Sequence, residues 1–195
     1  MGKVIVEQSI SLDGFSTGPD VTNAEPMGVG GEALHEWMYR DVGPSGRNEE
    51  AEALLRTSGA VIVGRRMFDL GVDPWGDPPP FHMPVFVITH RPRDPLPRTG
   101  GTTYYFVTGG LEDALAQARK SAGDKDVSVF GGADLVRQFL GAGLVDEVRI
   151  HLAHLLLGAG TRLFDGLDPA NFDAVESWVE AGPSVTHLTL KLRRP

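Results

Sequence analysis

"VFGGADLVRQFL", residues 129–140, is a short apolar strand that runs into two glycines and then opens a helix. Gly131 and Gly132 stand where the strand ends, and a glycine pair at that place answers one of two needs. One is a sharp strand-to-helix bend, for which glycine is the default because it takes positive φ without strain. The other is a bare backbone against which a phosphate can lie, close to the first N–H groups of the helix. The pair alone does not separate the two.

The same rhythm surrounds it. "AVIVGRRMFDLG" (60–71) is a continuous apolar run that stops at Gly64 and passes into a helical step from Met67 to Leu70. "PVFVITHRPRDPLP" (84–97) is a second buried strand, ending at Thr89 to Arg91, and "TTYYFVTGG" (102–110) is a third, with glycines at its exit. "LEDALAQARKSAG" (111–123) is an amphipathic helix. Strand alternating with helix from 60 to 141 predicts an α/β domain with a largely parallel sheet. "KVIVEQSIS" (3–11) adds a central strand. After residue 144 the pattern changes, and "HLTLKL" (187–192) alternates strictly, so two strands around "AGPS" (181–184) form an antiparallel closing hairpin. No repeat or linker divides the chain, and one domain over 1–195 is expected.

Four segments lie outside this alternation. The stretch 16–31, rich in Gly, Pro, Asn and Thr, directly follows the first strand, and a loop of that length is usually functional or disordered. "EALHEWMYRD" (32–41) and "NEEAEALLRTSG" (48–59) read as two helices, the second with acidic residues in its first turn and Arg56 in its last. "VDPWGDPPPFHM" (72–83), with four prolines, reads as a long surface loop.

Composition narrows the chemistry. A net charge of −8 and a pI near 5.2 argue against a surface built on non-specific contacts to nucleic acid, so any anion site is local. The absence of cysteine removes disulfides, thiolate metal sites and a cysteine nucleophile. No stretch approaches a membrane span and no signal peptide is evident, so a cytoplasmic location is expected. The histidines are scattered among different elements without metal-ligand spacing, and no metal is expected. There is no G-x-S-x-G, no GK[ST] and no G-x-G-x-x-G after a strand, which argues against a serine hydrolase, a nucleoside triphosphatase and a Rossmann dinucleotide site.

In open α/β sheets ligands bind outside the carboxyl ends of the parallel strands. Four such exits share a composition: Gly64, Arg65, Arg66 and Met67; Thr89, His90 and Arg91; Thr108, Gly109 and Gly110; and Gly131, Gly132, Ala133 and Asp134. Arginine forks suit bidentate phosphate recognition, and glycine-opened helix N-termini offer backbone donors. Taken singly, Arg65 and Arg66 could be a solvated helix start and His90 a surface histidine. Taken together, the four make an anion-binding edge inside an acidic protein.

"SISLDGFSTGPD", "VIVGRRMFD", "PVFVITHRP", "VTGGLEDALAQARK", "VSVFGGADLVRQFLGAGLVDEVRIHL" and "LLLGAGTRLFDG", in this order and spacing, resemble the dihydrofolate reductase-like family. They are similar in particular to the C-terminal reductase domain of the bifunctional riboflavin-biosynthesis deaminase-reductase. The resemblance implies a three-layer α/β/α fold, with a mostly parallel twisted sheet and an antiparallel C-terminal hairpin. It implies NADPH as cofactor, with Gly64, Arg65, Arg66 and Met67 at its phosphates and Thr89, His90 and Arg91 at the 2′-phosphate. Thr108 lies on the same edge. Gly131, Gly132, Ala133, Asp134 and Leu135 would meet the pyrophosphate and nicotinamide side, and in dihydrofolate reductases this glycine pair is joined by a cis peptide. The carboxylate that binds the pterin there has its counterpart near Asn48, beside Glu49, Glu50 and Glu52, without a secure equivalent.

The resulting expectation is an NADPH-dependent reductase that transfers hydride to a small planar or carbonyl-containing substrate. Ile10, Phe15, Trp37 and Phe130 would wall the substrate pocket, the 16–31 loop would cover it, and Asp13 would be the polar group at the reaction centre, although an Asp-Gly turn explains Asp13 equally well. The alternative is a non-catalytic nucleotide-binding or interaction protein on the same fold. A homodimer is expected on base rates.

Overall fold

The computed structural model describes residues 2–41, 53 and 55–193. Its main sheet has nine strands, in the order β10-β11-β8-β1-β7-β3-β4-β6-β5. The run β1 (Val4–Ser11), β3 (Ser58–Gly64), β4 (Pro84–Ile88), β6 (Thr103–Val107), β7 (Asp126–Gly131) and β8 (Glu147–Ala153) is parallel throughout. The hairpin β10 (Ala174–Ala181) and β11 (Val185–Leu192) closes one side antiparallel to β8. This is the mostly parallel sheet with an antiparallel C-terminal hairpin that the alternation of patterns predicts.

Burial explains the continuous apolar runs. Val4, Ile5 and Val6 of β1, and Val61, Ile62 and Val63 of β3, are all fully buried, because helices cover a parallel sheet on both faces. On one face, α3 (Gly110–Ala122) and α4 (Ala133–Gly141) pack Ala114, Leu115, Ala118, Val136, Phe139 and Leu140 against Val4, Val6, Ile62 and Val129. On the other, α2 (Arg65–Gly71) sets Phe68 against Val61, Val63, Val85 and Val87. Truncating a core ring such as Phe139 costs about 3–5 kcal/mol in sites of this kind.

Three local outcomes differ from the sequence reading. The segment 32–41 is no single helix: a 3-10 turn, Gly31–His35, is followed by one α-turn, α1 (Trp37–Arg40). Leu34 and Trp37, three residues apart and both buried, line up on one side in that tighter winding. The proline-rich 72–83 segment is no plain surface loop, because Phe81 is buried and its ring meets Trp75, Tyr104 and Phe130 edge to face. Two short pairings were not foreseen: β5 (Leu96–Pro97) on the edge of β6, and a ribbon of β2 (Phe15–Thr17) with β9 (Thr161–Arg162). The helix expected over 48–59 lies largely outside the described residues, as does the Asn48 region.

One feature of the register positions the site. β1 pairs with β8 from Ile5–Glu147 to Ser11–Ala153, but with β7 only from Val4–Val127 to Val6–Val129. Beyond Val6 the strands part, and a crevice opens between β1 and β7. The chain order also reverses here, which is where open sheets bind ligands.

Candidate active site

β7, β3, β4 and β6 are consecutive in the sheet, so the four glycine- and arginine-bearing exits stand side by side along its carboxyl edge. They border a cleft of about 1530 Å³. Gly64, Arg65, Arg66, Met67, Thr89, His90, Arg91, Gly132, Ala133, Asp134 and Leu135 line it, and Gly131 adjoins it through Gly132. Thr108, exposed at the exit of β6, is outside the lining, and Gly110 takes that place.

The backbone at these exits is bare. Helices α3 and α4 begin at Gly109 and Gly132 without a side-chain cap, so their first N–H groups keep no partner from a capping residue. A Cβ added at Gly110 or Gly132 would meet nothing within 4 Å. Gly131 has φ +105°, a conformation that favours glycine, and its peptide bond to Gly132 is cis. Gly131 therefore serves the bend, and Gly132 leaves open space beside the helix start.

The arginines form a small network. Arg65 Nε donates to Asp69 Oδ1 at 2.7 Å, Arg91 Nη2 lies 3.5 Å from Asp69 Oδ2, and Arg91 N donates to Thr89 Oγ1 at 3.1 Å. Asp69 thereby holds two guanidinium groups at neighbouring exits. Arg66 is used differently, since its Nη2 donates to the Val21 carbonyl at 3.3 Å and ties α2 to the 16–31 loop. That loop is itself hydrogen-bonded, with Gly18 N to Met27 O at 2.8 Å and Val29 N to Pro19 O at 2.8 Å. Val21, Pro26 and Met27 line the cleft.

The residues expected at the substrate end divide. Phe130 lines the cleft. Ile10 is buried in the core under α3 and α4, and Phe15 lies beneath the Arg162 guanidinium at 4.4 Å. Trp37 is buried, donates from Nε1 to Ser9 Oγ at 3.3 Å and packs on His151. None of these three reaches the cleft lining, and neither does Asp13. The Asp13 carboxylate accepts from Ser11 Oγ at 2.6 Å, Gly158 N at 2.7 Å and Leu157 N at 3.1 Å. These donors, the Ser11 hydroxyl foremost, hold its carboxyl down at about 2. It is the anchor of the turn after β8.

In their place the structure brings Glu7, Gln8 and Ser9 of β1, His35 of the 3-10 turn and His151 of β8 to the cleft. Gln8 Nε2 donates to the Phe130 carbonyl at 2.5 Å, across the crevice between β1 and β7. The histidines read as scattered are thus partly gathered: His151 Nδ1 and His187 Nδ1 are 2.7 Å apart. A signal for this existed in the sequence. Glu7, Gln8 and Ser9 are polar in the central strand, and Glu147, Arg149 and His151 in β8 alternate with apolar residues, although a strand in the middle of a parallel sheet is expected to be apolar on both faces.

Comparison with known proteins agrees with this fold. The family model described as the RibD C-terminal domain matches residues 2–188. Among solved structures, a putative riboflavin biosynthesis protein from Shewanella sp. PV-4 superposes with a TM-score of 0.71 at 24% identity, covering 98% of this chain and 99% of that one. Dihydrofolate reductase from Enterococcus faecalis, solved in complex with NADP(H), superposes with a TM-score of 0.61 at 14% identity, covering 98% and 97%. A diaminohydroxyphosphoribosylaminopyrimidine deaminase/5-amino-6-(5-phosphoribosylamino)uracil reductase from Thermotoga maritima gives 0.65 at 16% identity, with 98% of this chain matching 57% of that longer one.

Proposed function

The chain belongs to the RibD C-terminal domain family, of riboflavin-pathway reductase type, and from that premise we propose that it is an NADPH-dependent reductase of a small planar or carbonyl-containing substrate. The observation that carries the proposal is the convergence of four strand exits on one cleft. The donor set fits a phosphorylated dinucleotide: uncapped helix starts, a glycine with open space beside it, and two arginines at adjacent exits.

When bound, the cofactor supplies the hydride. The chain's own residues bind and orient. The backbone of Gly131 to Leu135 and the α4 N-terminus would hold the pyrophosphate, with Gly64 to Met67 beside it. Arg91, Thr89 and His90 would hold the 2′-phosphate, with Arg65 aligned through Asp69. Phe130, with Met67 and Trp75, gives the cleft an apolar wall that would keep water from the reacting carbon. Asp13 takes a positioning role, fixing the turn at 157–158 against the end of β1. A homodimer and a cytoplasmic location belong to the same proposal.

Titration of the purified protein with NADPH and NADH, followed by calorimetry, tests the cofactor. Micromolar binding of NADPH, about −8 kcal/mol, with weaker NADH is the expected result, and no binding of either refutes the reading. Incubation with NADPH and 5-amino-6-(5-phosphoribosylamino)uracil then tests the substrate class. Binding without oxidation across carbonyl, pterin and aminopyrimidine compounds would favour the non-catalytic alternative.

A further inference from the structure

The face of β1, β8 and β11 opposite α3 and α4 carries ionisable groups where a sheet interior is normally apolar. Glu7 is 3% exposed and His151 6%, yet Glu7 Oε2 and His151 Nε2 have no hydrogen-bond partner. An unpartnered buried carboxylate oxygen costs stability, and the fold offers no structural return for it. Both side chains line the cleft, and both also line a second cavity of about 350 Å³ on the far side, bordered by His187 and Trp178. Glu7 and His151 are therefore the partition between the two cavities.

The hydrogen-bond pattern gives this partition a direction. His151 Nε2 lies 3.5 Å from Glu7 Oε1, without a hydrogen bond but close enough for the carboxylate to favour the ring proton on Nε2. His151 Nδ1 is then an acceptor, and His187 Nδ1, 2.7 Å away, must donate to it. We propose that His187, His151 and Glu7 form a proton relay that carries a proton from the far cavity to Glu7, and that Glu7 delivers it in the reduction. The proposal rests on the reductase reading above.

The step balances. As hydride from the dihydronicotinamide would reach the electrophilic carbon of a substrate C=O or C=N bond, the π pair moves to the heteroatom, which takes its proton through Glu7. The Glu7 carboxylate takes the His151 Nε2 proton and hands it to the heteroatom, His151 Nδ1 takes the one on His187 Nδ1, and His187 Nε2 takes one from solvent in the far cavity, so Glu7 ends as the carboxylate it began. The substrate gains two electrons and two hydrogens, and the nicotinamide is oxidised.

Among the described residues, the charged neighbours of this path are mostly paired elsewhere. Arg149 is committed to Glu147, with Nη2 to Oε1 at 2.7 Å, and stands 3.9 Å from Glu7 Oε1. Lys3 is paired with Glu147, and Lys191 with Glu176 of β10. Burial first, and His151 second, push His35 down to about 4, and the same two causes lower His187, against a smaller upward pull from Glu180 and Asp41. Both rings are thus neutral near pH 7. No three His, Asp or Glu side chains among the described residues are placed to hold a metal ion. Gln8, next to Glu7, reaches the Phe130 carbonyl and so sets the acid one strand from the Gly131–Gly132 turn.

The first test needs neither cofactor nor substrate: nitrogen NMR of histidine-labelled protein. The relay requires the Nε2–H tautomer at His151 and the Nδ1–H tautomer at His187, and the reverse pair overturns it. The second compares wild type with Glu7→Gln and, in case that variant folds poorly, His187→Asn, using NADPH and 5-amino-6-(5-phosphoribosylamino)uracil. Turnover is expected to fall about 100-fold or more in Glu7→Gln, the usual range for losing a general acid, with NADPH affinity within about two-fold. Wild-type turnover in either variant overturns the relay. A wild-type protein that binds NADPH but leaves this compound untouched fails the substrate reading instead, and the tautomers then decide the relay alone.

Discussion

Asp13 Oδ2 accepts the Gly158 amide at 2.7 Å, and this bond joins the end of the central strand to the turn after β8, far along the chain. The carboxyl is held at about 2 by the Ser11 hydroxyl and the two backbone amides. A carboxyl depressed on folding stabilises above its unfolded value, and the contribution disappears as pH falls through the folded value. Acidification from pH 4 to 2 is therefore expected to lower the Tm of wild type more than that of Asp13→Asn. NADPH affinity should stay within about two-fold in the variant, whereas lost affinity at unchanged Tm would place Asp13 at the reaction centre.

Gly131 and Gly132 are expected to respond differently to alanine. At Gly131 the positive φ is strained for any side chain, and a Cβ would lie 3.0 Å from Gln8 Nε2. Gly131→Ala should lose about 1–3 kcal/mol in chemical denaturation. At Gly132 a Cβ has open space, so Gly132→Ala should fold with an unchanged denaturation midpoint and lose dinucleotide affinity, because its methyl projects where the cofactor backbone contact is proposed.

Arg91 is well exposed, bound to Asp69 at 3.5 Å and free to take a phosphate. Arg91→Ala should weaken NADPH about ten-fold or more, the scale of a charge-assisted bond, while leaving NADH nearly unchanged. Arg66→Ala should weaken both, since Arg66 also holds the 16–31 loop through Val21. Parallel titrations with the two dinucleotides distinguish the cases, and equal losses at Arg91 would remove it from the 2′-phosphate site.

His35 predicts a pH effect of the opposite kind of group. Burial lowers it from 6.5 to about 4, so between those values the unfolded chain binds a proton that the folded chain does not. Stability then falls as pH falls from 6.5 toward 4, by about 3 kcal/mol at most. Urea titrations across that window should show the loss in wild type and a flatter profile in His35→Gln.

Much of this protein was legible without coordinates. The apolar runs ending at Gly64, Ile88, Val107 and Gly131 are local patterns, and parallel strands joined by helices place their carboxyl ends on one edge whatever the side chains do. The gathering of those four exits on one edge therefore followed from sequence and topology alone. The substrate end did not. Ile10, Phe15 and Trp37 are apolar in any reading, but whether they face the cleft or the core depends on strand direction and on how the 31–40 segment winds.

The proton-bearing face depended on register. His151 meets His187 because β8 and β11 pair antiparallel with these two residues directly opposite, and His151 lies near Glu7 because β1 pairs with β8 at Glu7–Arg149. A slip of one residue in either pairing would turn the same side chains to the other face. Composition and periodicity determine which segments become strands and where they end; only the long-range pairing of those strands decides which of their polar residues share a buried face.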